Sequence, residues 1–150
     1  MKNIYVTGFI GSDRKSLAEK LAEEKGLTFL DLDEEIKERD GRSVMRIIMM
    51  MGEHEYRNKE YELLEELSHR EDLVVCCGDG ALFDEMCAEL MEKGDIVIAD
   101  ADKSAEELWD AAKDDSSIPY AFMQFDPAEK KKETFFKLFE QRKDIYGKYI

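Results

Sequence analysis

The stretch from Asn3 to Leu21, NIYVTGFIGSDRKSLAEKL, restricts what this chain can fold into more than any other. Asn3–Thr7 is a short apolar, β-branched run that suits a buried strand. Gly8, Phe9, Ile10, Gly11 and Ser12 form a glycine-bearing turn, after which Leu17, Ala18 and Leu21 recur at helical spacing. Strand, glycine turn and helix in that order are the setting of the phosphate-binding motif G-x-x-x-x-G-K-[ST]. Registered on Gly8, the motif matches as far as Ser12. Asp13, Arg14 and Lys15 then stand where Gly, Lys and Ser/Thr belong, followed by Ser16. Taking Lys15 and Ser16 as the Lys-Ser pair of a longer loop still leaves the second glycine missing.

These replacements have physical consequences. Such a loop holds phosphate with backbone N–H groups at a helix N-terminus, and both favour negative charge. Asp13 adds a negative charge at that point. At an effective dielectric of about 20, like charges about 4 Å apart repel by roughly 4 kcal/mol, on the order of a thousandfold in affinity. Arg14 keeps a positive charge in a bulkier, planar form. Lys15 replaces a hydroxyl that would sit on Mg²⁺, and a cation does not ligate a cation. The plain alternative is a strand-to-helix turn with ordinary charged residues in its first helical turn.

A chain of 150 residues is expected to form one domain, 1–150, with a proper core. Its 36 acidic and 22 basic residues give a net charge of −14, which argues against nucleic acid or an anionic membrane as partner. No apolar run reaches membrane-spanning length. The start MKNIYVTG lacks the apolar core of a secretory leader, so a cytoplasmic location is expected. Cys76, Cys77 and Cys87 show no metal-ligand spacing and read as small buried residues. His54 and His69 are isolated and read as solvated or capping.

Strands are expected at Asn3–Thr7, Leu27–Leu30, Leu73–Cys77 and Asp95–Ala99, and helices at Arg14–Lys25, Glu34–Asp40, Val44–Met51, Glu53–Arg70, Phe83–Lys93, Ser104–Ala112 and Pro127–Asp144. Gly26 closes the first helix and Ser43 caps the third. Lys113–Phe125, with Pro119, reads as a loop. Strands alternating with helices mean an α/β fold with a parallel sheet.

Five blocks in this order, GFIGS, FLDLDEEI, GRSVMRIIMMMGEHEYRNKE, VVCCGDGAL and QRKDIY, give the chain from Asn3 to about Tyr146 its family likeness. It resembles a shikimate kinase, a small P-loop kinase of the nucleoside-monophosphate kinase fold. The resemblance implies a three-layer fold, a parallel sheet flanked by helices, with a lid-like loop at about 111–125. The family's final strand would lie beyond Ile150, so the sheet is expected to lack it.

The resemblance also implies chemistry: transfer of phosphate from ATP, with Mg²⁺, to the 3-hydroxyl of shikimate. Asp33 matches the carboxylate that holds shikimate hydroxyls and assists deprotonation. Arg57 and Arg142 match two arginines that pair the substrate carboxylate, and Glu60 matches the residue that orients the first. Gly78, Asp79 and Gly80 match a triple-glycine turn under the ring, with Asp79 in place of its middle glycine. Asp31 matches the residue that positions Mg²⁺. Gly8, Gly11, Ser12, Asp13, Arg14, Lys15 and Ser16 match the nucleotide loop, and Ile118 replaces the lid arginine. Each residue has a bland alternative. Asp31 and Asp33 suit helix caps, Arg57 and Glu60 a surface helix pair, and Arg142 a helix C-terminal cation.

The expected function is therefore shikimate binding with impaired ATP binding and little phosphotransfer. Two alternatives stay open. One is an active ATP-dependent kinase in which Arg14 or Lys15 cradles the phosphates and a partner protein supplies missing pieces. The other is a non-catalytic interaction or metal-binding protein, with Asp13, Asp31, Asp33 and Asp79 gathered at the C-terminal edge of the sheet.

Overall fold

In β1, Ile4–Thr7, side chains alternate between two apolar surroundings, Ile4 and Val6 to one side and Tyr5 to the other. β3, Leu73–Cys76, repeats the alternation: Val74 and Cys76 join Ile4 and Val6, while Leu73 and Val75 join Tyr5. A strand covered on both faces must be apolar throughout, which is why both read as unbroken hydrophobic runs. The computed structural model, which describes all 150 residues, makes them the central pair of a four-stranded parallel sheet. The order is β2–β3–β1–β4, with β2 at Thr28–Asp31 and β4 at Asp95–Ile98. Tyr5 lies opposite Val75 on one side and Ile96 on the other.

Helix α1, Arg14–Lys25, buries Ala18 and Ala22 against the Ile4 face. The opposite face meets a larger cluster that includes Leu63, Leu64 and Leu67 of α4, Glu53–Leu67. Helices thus cover both faces and give three layers. Leu64 has no solvent exposure, and truncating such a leucine to alanine costs about 2–5 kcal/mol. Between β2 and α4 lie α2, Leu32–Asp40, and α3, Val44–Met51. The side chain of Ser43 caps α3 by accepting the Arg46 N–H.

Two segments depart from the expected pattern. The helix expected at Phe83–Lys93 is a 3-10 turn, Ala81–Phe83, followed by α5, Glu85–Met91. Asp84 interrupts it, because its carboxylate accepts from the Met86 and Cys87 N–H groups and so starts a new helix. The expected loop after α6, Ala105–Ala112, contains a short helix, α7, Ala121–Phe125, with Met123 buried. α4 ends at Leu67, short of Arg70, and the last helix, α8, Ala128–Gly147, passes Asp144. All three cysteines are free and buried. No helix is long and apolar enough to cross a membrane.

Candidate active site

Parallel strands bring their carboxyl ends to one edge, where α/β sheets bind ligands. A cleft of about 250 Å³ lies there, lined by Gly11 and Ser12 from the loop after β1, Arg14 at the start of α1, Asp33 from α2, Tyr56 and Arg57 from α4, Asp79 after β3, and Ile118 and Tyr120 before α7.

The loop wall comes first. Gly11 sits at φ 91°, and any Cβ there would collide with the Leu108 carbonyl of α6, so only glycine passes between them. The Ser12 N–H donates to the Phe9 carbonyl at 3.0 Å. The Asp13 N–H donates to Asp100 Oδ2 at 2.8 Å, and the Ser16 N–H to Asp13 Oδ1 at 3.2 Å. Three amides, those of Ser12 and Asp13 in the loop and of Ser16 in the first turn of α1, are therefore bound to the chain's own oxygens. Asp13 is the N-cap of α1. Arg14 and Lys15 diverge, because successive helical residues turn by about 100°. Arg14 reaches into the cleft, 3.5 Å from the Cys77 carbonyl and 3.8 Å from Asp79 Oδ1. Lys15 and Ser16 are exposed and do not line the cleft. Gly8 is buried behind the loop.

The opposite wall is built on α2 and α4. Asp33 Oδ1 accepts from the Tyr56 hydroxyl at 2.6 Å, and Glu60 Oε2 lies 3.3 Å from the same hydroxyl. Glu60 is fully buried, and its Oε1 accepts from Arg57 Nη1 at 2.8 Å. Arg57 Nη2 also donates to Glu53 Oε1 at 3.2 Å. Burial pushes the Glu60 carboxyl up to about 7, against the pull of Arg57. Burial also raises Asp33, opposed by the Tyr56 hydrogen bond and by Arg14. The Arg57 guanidinium lies where a Cβ on residue 80 would stand, so Gly80 is what admits it. The Gly78 carbonyl accepts from Thr7 Oγ1 at 2.8 Å.

Asp79 joins the two walls. Its Oδ2 accepts from Arg142 Nη1 at 2.8 Å and from the Tyr120 hydroxyl at 2.6 Å, while Oδ1 faces Arg14. Its backbone carbonyl accepts from the Tyr146 hydroxyl. Burial opposes its ionisation, but Arg14 and Arg142 outweigh burial and hold it below the usual carboxylate range. Arg142 also lies over the Phe83 ring.

The four aspartates expected to gather do not form one set. Asp13 and Asp31 cap α1 and α2, Asp31 by accepting the Asp33 and Glu34 N–H groups. Asp33 and Asp79 each have separate partners in the cleft. No group of three or more His, Cys, Asp or Glu side chains is arranged to hold a metal ion. Residue reasoning gave no role to Tyr56, Tyr120, Tyr146 or Asp100. The available signal was the phenol itself, since a buried tyrosine hydroxyl normally finds a partner.

Residues 11–149 match the family model for shikimate kinase. Over 147 residues the chain is 35% identical to a shikimate kinase of Sulfurihydrogenibium sp., covering 97% of this chain and 83% of that protein. A 90-residue stretch, 60% of this chain, is 42% identical to the bifunctional shikimate kinase/3-dehydroquinate synthase of Thermotoga maritima, covering 18% of that protein. Among solved structures, the shikimate kinase from Acinetobacter baumannii in complex with shikimate aligns with a TM-score of 0.85 at 27% identity, covering 99% of this chain and 80% of that one.

Proposed function

The chain belongs to the shikimate kinase family, and from that premise we propose that its cleft holds a small polyhydroxylated ring, shikimate or a near relative, while its nucleotide loop holds ATP weakly. The single observation that carries the first half is the assembly of Asp33, Tyr56, Arg57 and Glu60 on one wall, each side chain fixed by the next. In this reading Asp33 accepts hydrogen bonds from ring hydroxyls and is the group that would take a hydroxyl proton. Arg57, locked by Glu60, supplies a planar fork of donors. The segment 111–125 brings Ile118 and Tyr120 over the cleft and acts as its cover.

Family membership implies ATP and Mg²⁺ as cofactors. The residues present do not fit them well. Phosphate would need the loop amides, and those of Ser12, Asp13 and Ser16 are engaged by Phe9, Asp100 and Asp13. Lys15 offers Mg²⁺ no lone pair, and Asp31 spends Oδ1 on the start of α2. No step is derived through either group.

Calorimetric titration of the protein with shikimate and with its uncharged methyl ester tests the ring half. Heat from at least one, weakened in Arg57→Ala, is expected; no heat from either at millimolar concentration refutes it. A second reading, a working kinase, is favoured by the family match and by Arg14, which keeps a cation at the loop. An ADP-release assay decides between them. Turnover with shikimate that Asp33→Asn abolishes would establish the kinase; release no faster than without shikimate would support weak nucleotide use.

A further inference from the structure

The arginines of the cleft, Arg14 and Arg57, and Arg142 in the recess beside it, already have anions. Arg57 is paired with Glu60 at 2.8 Å and Glu53 at 3.2 Å. Arg142 and Arg14 share Asp79, at 2.8 Å and 3.8 Å. With Asp33 counted, three arginines stand among four carboxylates in and beside the cleft, and none of the cations is left over. Asp79 is fixed as well as paired. Its side chain is 14% exposed, Tyr120 donates to the oxygen that Arg142 holds, and Tyr146 holds its backbone carbonyl. The only non-glycine residues in the left-handed region are Asp72 and Asp100, so residue 79 carries a side chain without backbone strain.

We propose that Asp79 is the specificity-determining residue of this cleft: an internal carboxylate seated on Arg142, which makes the site select uncharged polyhydroxylated rings over ring carboxylates. The proposal rests on the reading that the cleft holds such a ring, and it names the ring's charge. A carboxylate arriving at Arg142 or Arg14 meets the Asp79 carboxylate across a few ångströms in a partly dry pocket, where like charges repel strongly. A ring hydroxyl does the opposite, because it can donate to the acceptor-only oxygens of Asp33 or Asp79. Selection by built-in repulsion is a recognised route to specificity.

Shikimate and its methyl ester are a matched pair of probes, identical in ring and hydroxyls and different in charge. The ratio of their affinities, followed across variants, cancels the bulk of the added methyl. The wild-type protein is expected to bind the ester about tenfold more tightly than the acid, which corresponds to about 1.4 kcal/mol. In Asp79→Gly the order reverses, because Arg142 and Arg14 become free. Asp79→Asn keeps the volume and the acceptor for Tyr120 but removes the charge, and it should bring the ratio to parity or beyond. If Asp79→Gly melts too early to titrate, Asp79→Asn carries the test alone. A wild-type preference for the acid, or the same ratio in wild type and Asp79→Asn, overturns the proposal and leaves ring binding standing. No binding of either probe by the wild type overturns both.

Discussion

The loop before α1 and the wall formed by α2 and α4 line one cleft and handle charge in opposite ways. On the α4 wall the charged groups are buried, as Glu60 is, or half-buried, each held by a neighbour: Arg57 by Glu60, Asp33 by Tyr56. In the loop and the first turn of α1 the donors are backbone amides, and the chain's own oxygens have taken those of Ser12, Asp13 and Ser16, with Asp13 itself exposed. In the proposed reading an internal acceptor weakens the hold on a ligand by satisfying the donors first, without removing them. Asp79 extends the same logic to the far end of the cleft, where it satisfies Arg142.

The largest expected effect probes the buried wall. Glu60→Ala leaves the Arg57 charge without its buried partner, and breaking a buried pair in this way costs about 3–5 kcal/mol. Urea unfolding reads it; a loss below about 1 kcal/mol would mean that Arg57 swings to Glu53 and that the wall is no rigid unit.

Next comes pH. The Glu60 carboxyl is pushed from 4.5 to about 7 in the folded protein, so between those values the folded state binds more proton than the unfolded one. Its contribution is complete below the unfolded value and is lost as pH rises through about 7, a change of up to about 3 kcal/mol. Asp79 has the opposite sign: its depressed value stabilises above the ordinary carboxylate range and fades as pH falls. Melting temperatures from pH 5 to 8 should fall, and Glu60→Gln should flatten the slope. An unchanged slope would assign the pH response elsewhere.

The loop is probed by Asp13→Gly, Arg14→Lys and Lys15→Thr together. ATP affinity should rise on the order of a hundredfold, short of the roughly thousandfold implied by bare repulsion because Asp100 still competes for the amide of residue 13. No gain in an equilibrium titration would shift the proposed weakness from the loop to segment 111–125, where the resemblance sets Ile118 against a lid arginine. The smallest effect is Tyr56→Phe, which deletes the hydrogen bond to Asp33 and should cost about 1 kcal/mol. A neutral result would show that Asp33 is positioned without it.

Much of this architecture was legible because its cause is local. β1 and β3 are buried on both faces and must be apolar. α1 and α3 begin and end where Asp13, Gly26, Ser43 and Gly52 put their caps. The pairing of Arg57 with Glu60 follows from helical spacing alone. Where local rules competed, the sequence misled: Asp84 capping ended one helix and began another, and Ile118 and Met123 drew a presumed loop onto the core. The decisive contacts of the cleft were out of reach for a different reason. Asp79 and Arg142 are 63 positions apart, and Asp13 and Asp100 are 87 apart. No periodicity reports a partner at that distance, so Asp79 read as a missing glycine or as one of an acidic cluster, and Asp100 as nothing at all.

One titration reaches the centre of this account: the wild-type protein with a non-hydrolysable ATP analogue and Mg²⁺, followed by calorimetry. A dissociation constant of about a millimolar or weaker, near −4 kcal/mol, is what a loop with three amides already engaged and an added carboxylate should give. A micromolar constant, near −8 kcal/mol, would mean that Asp100 and Asp13 yield to phosphate, and would contradict it.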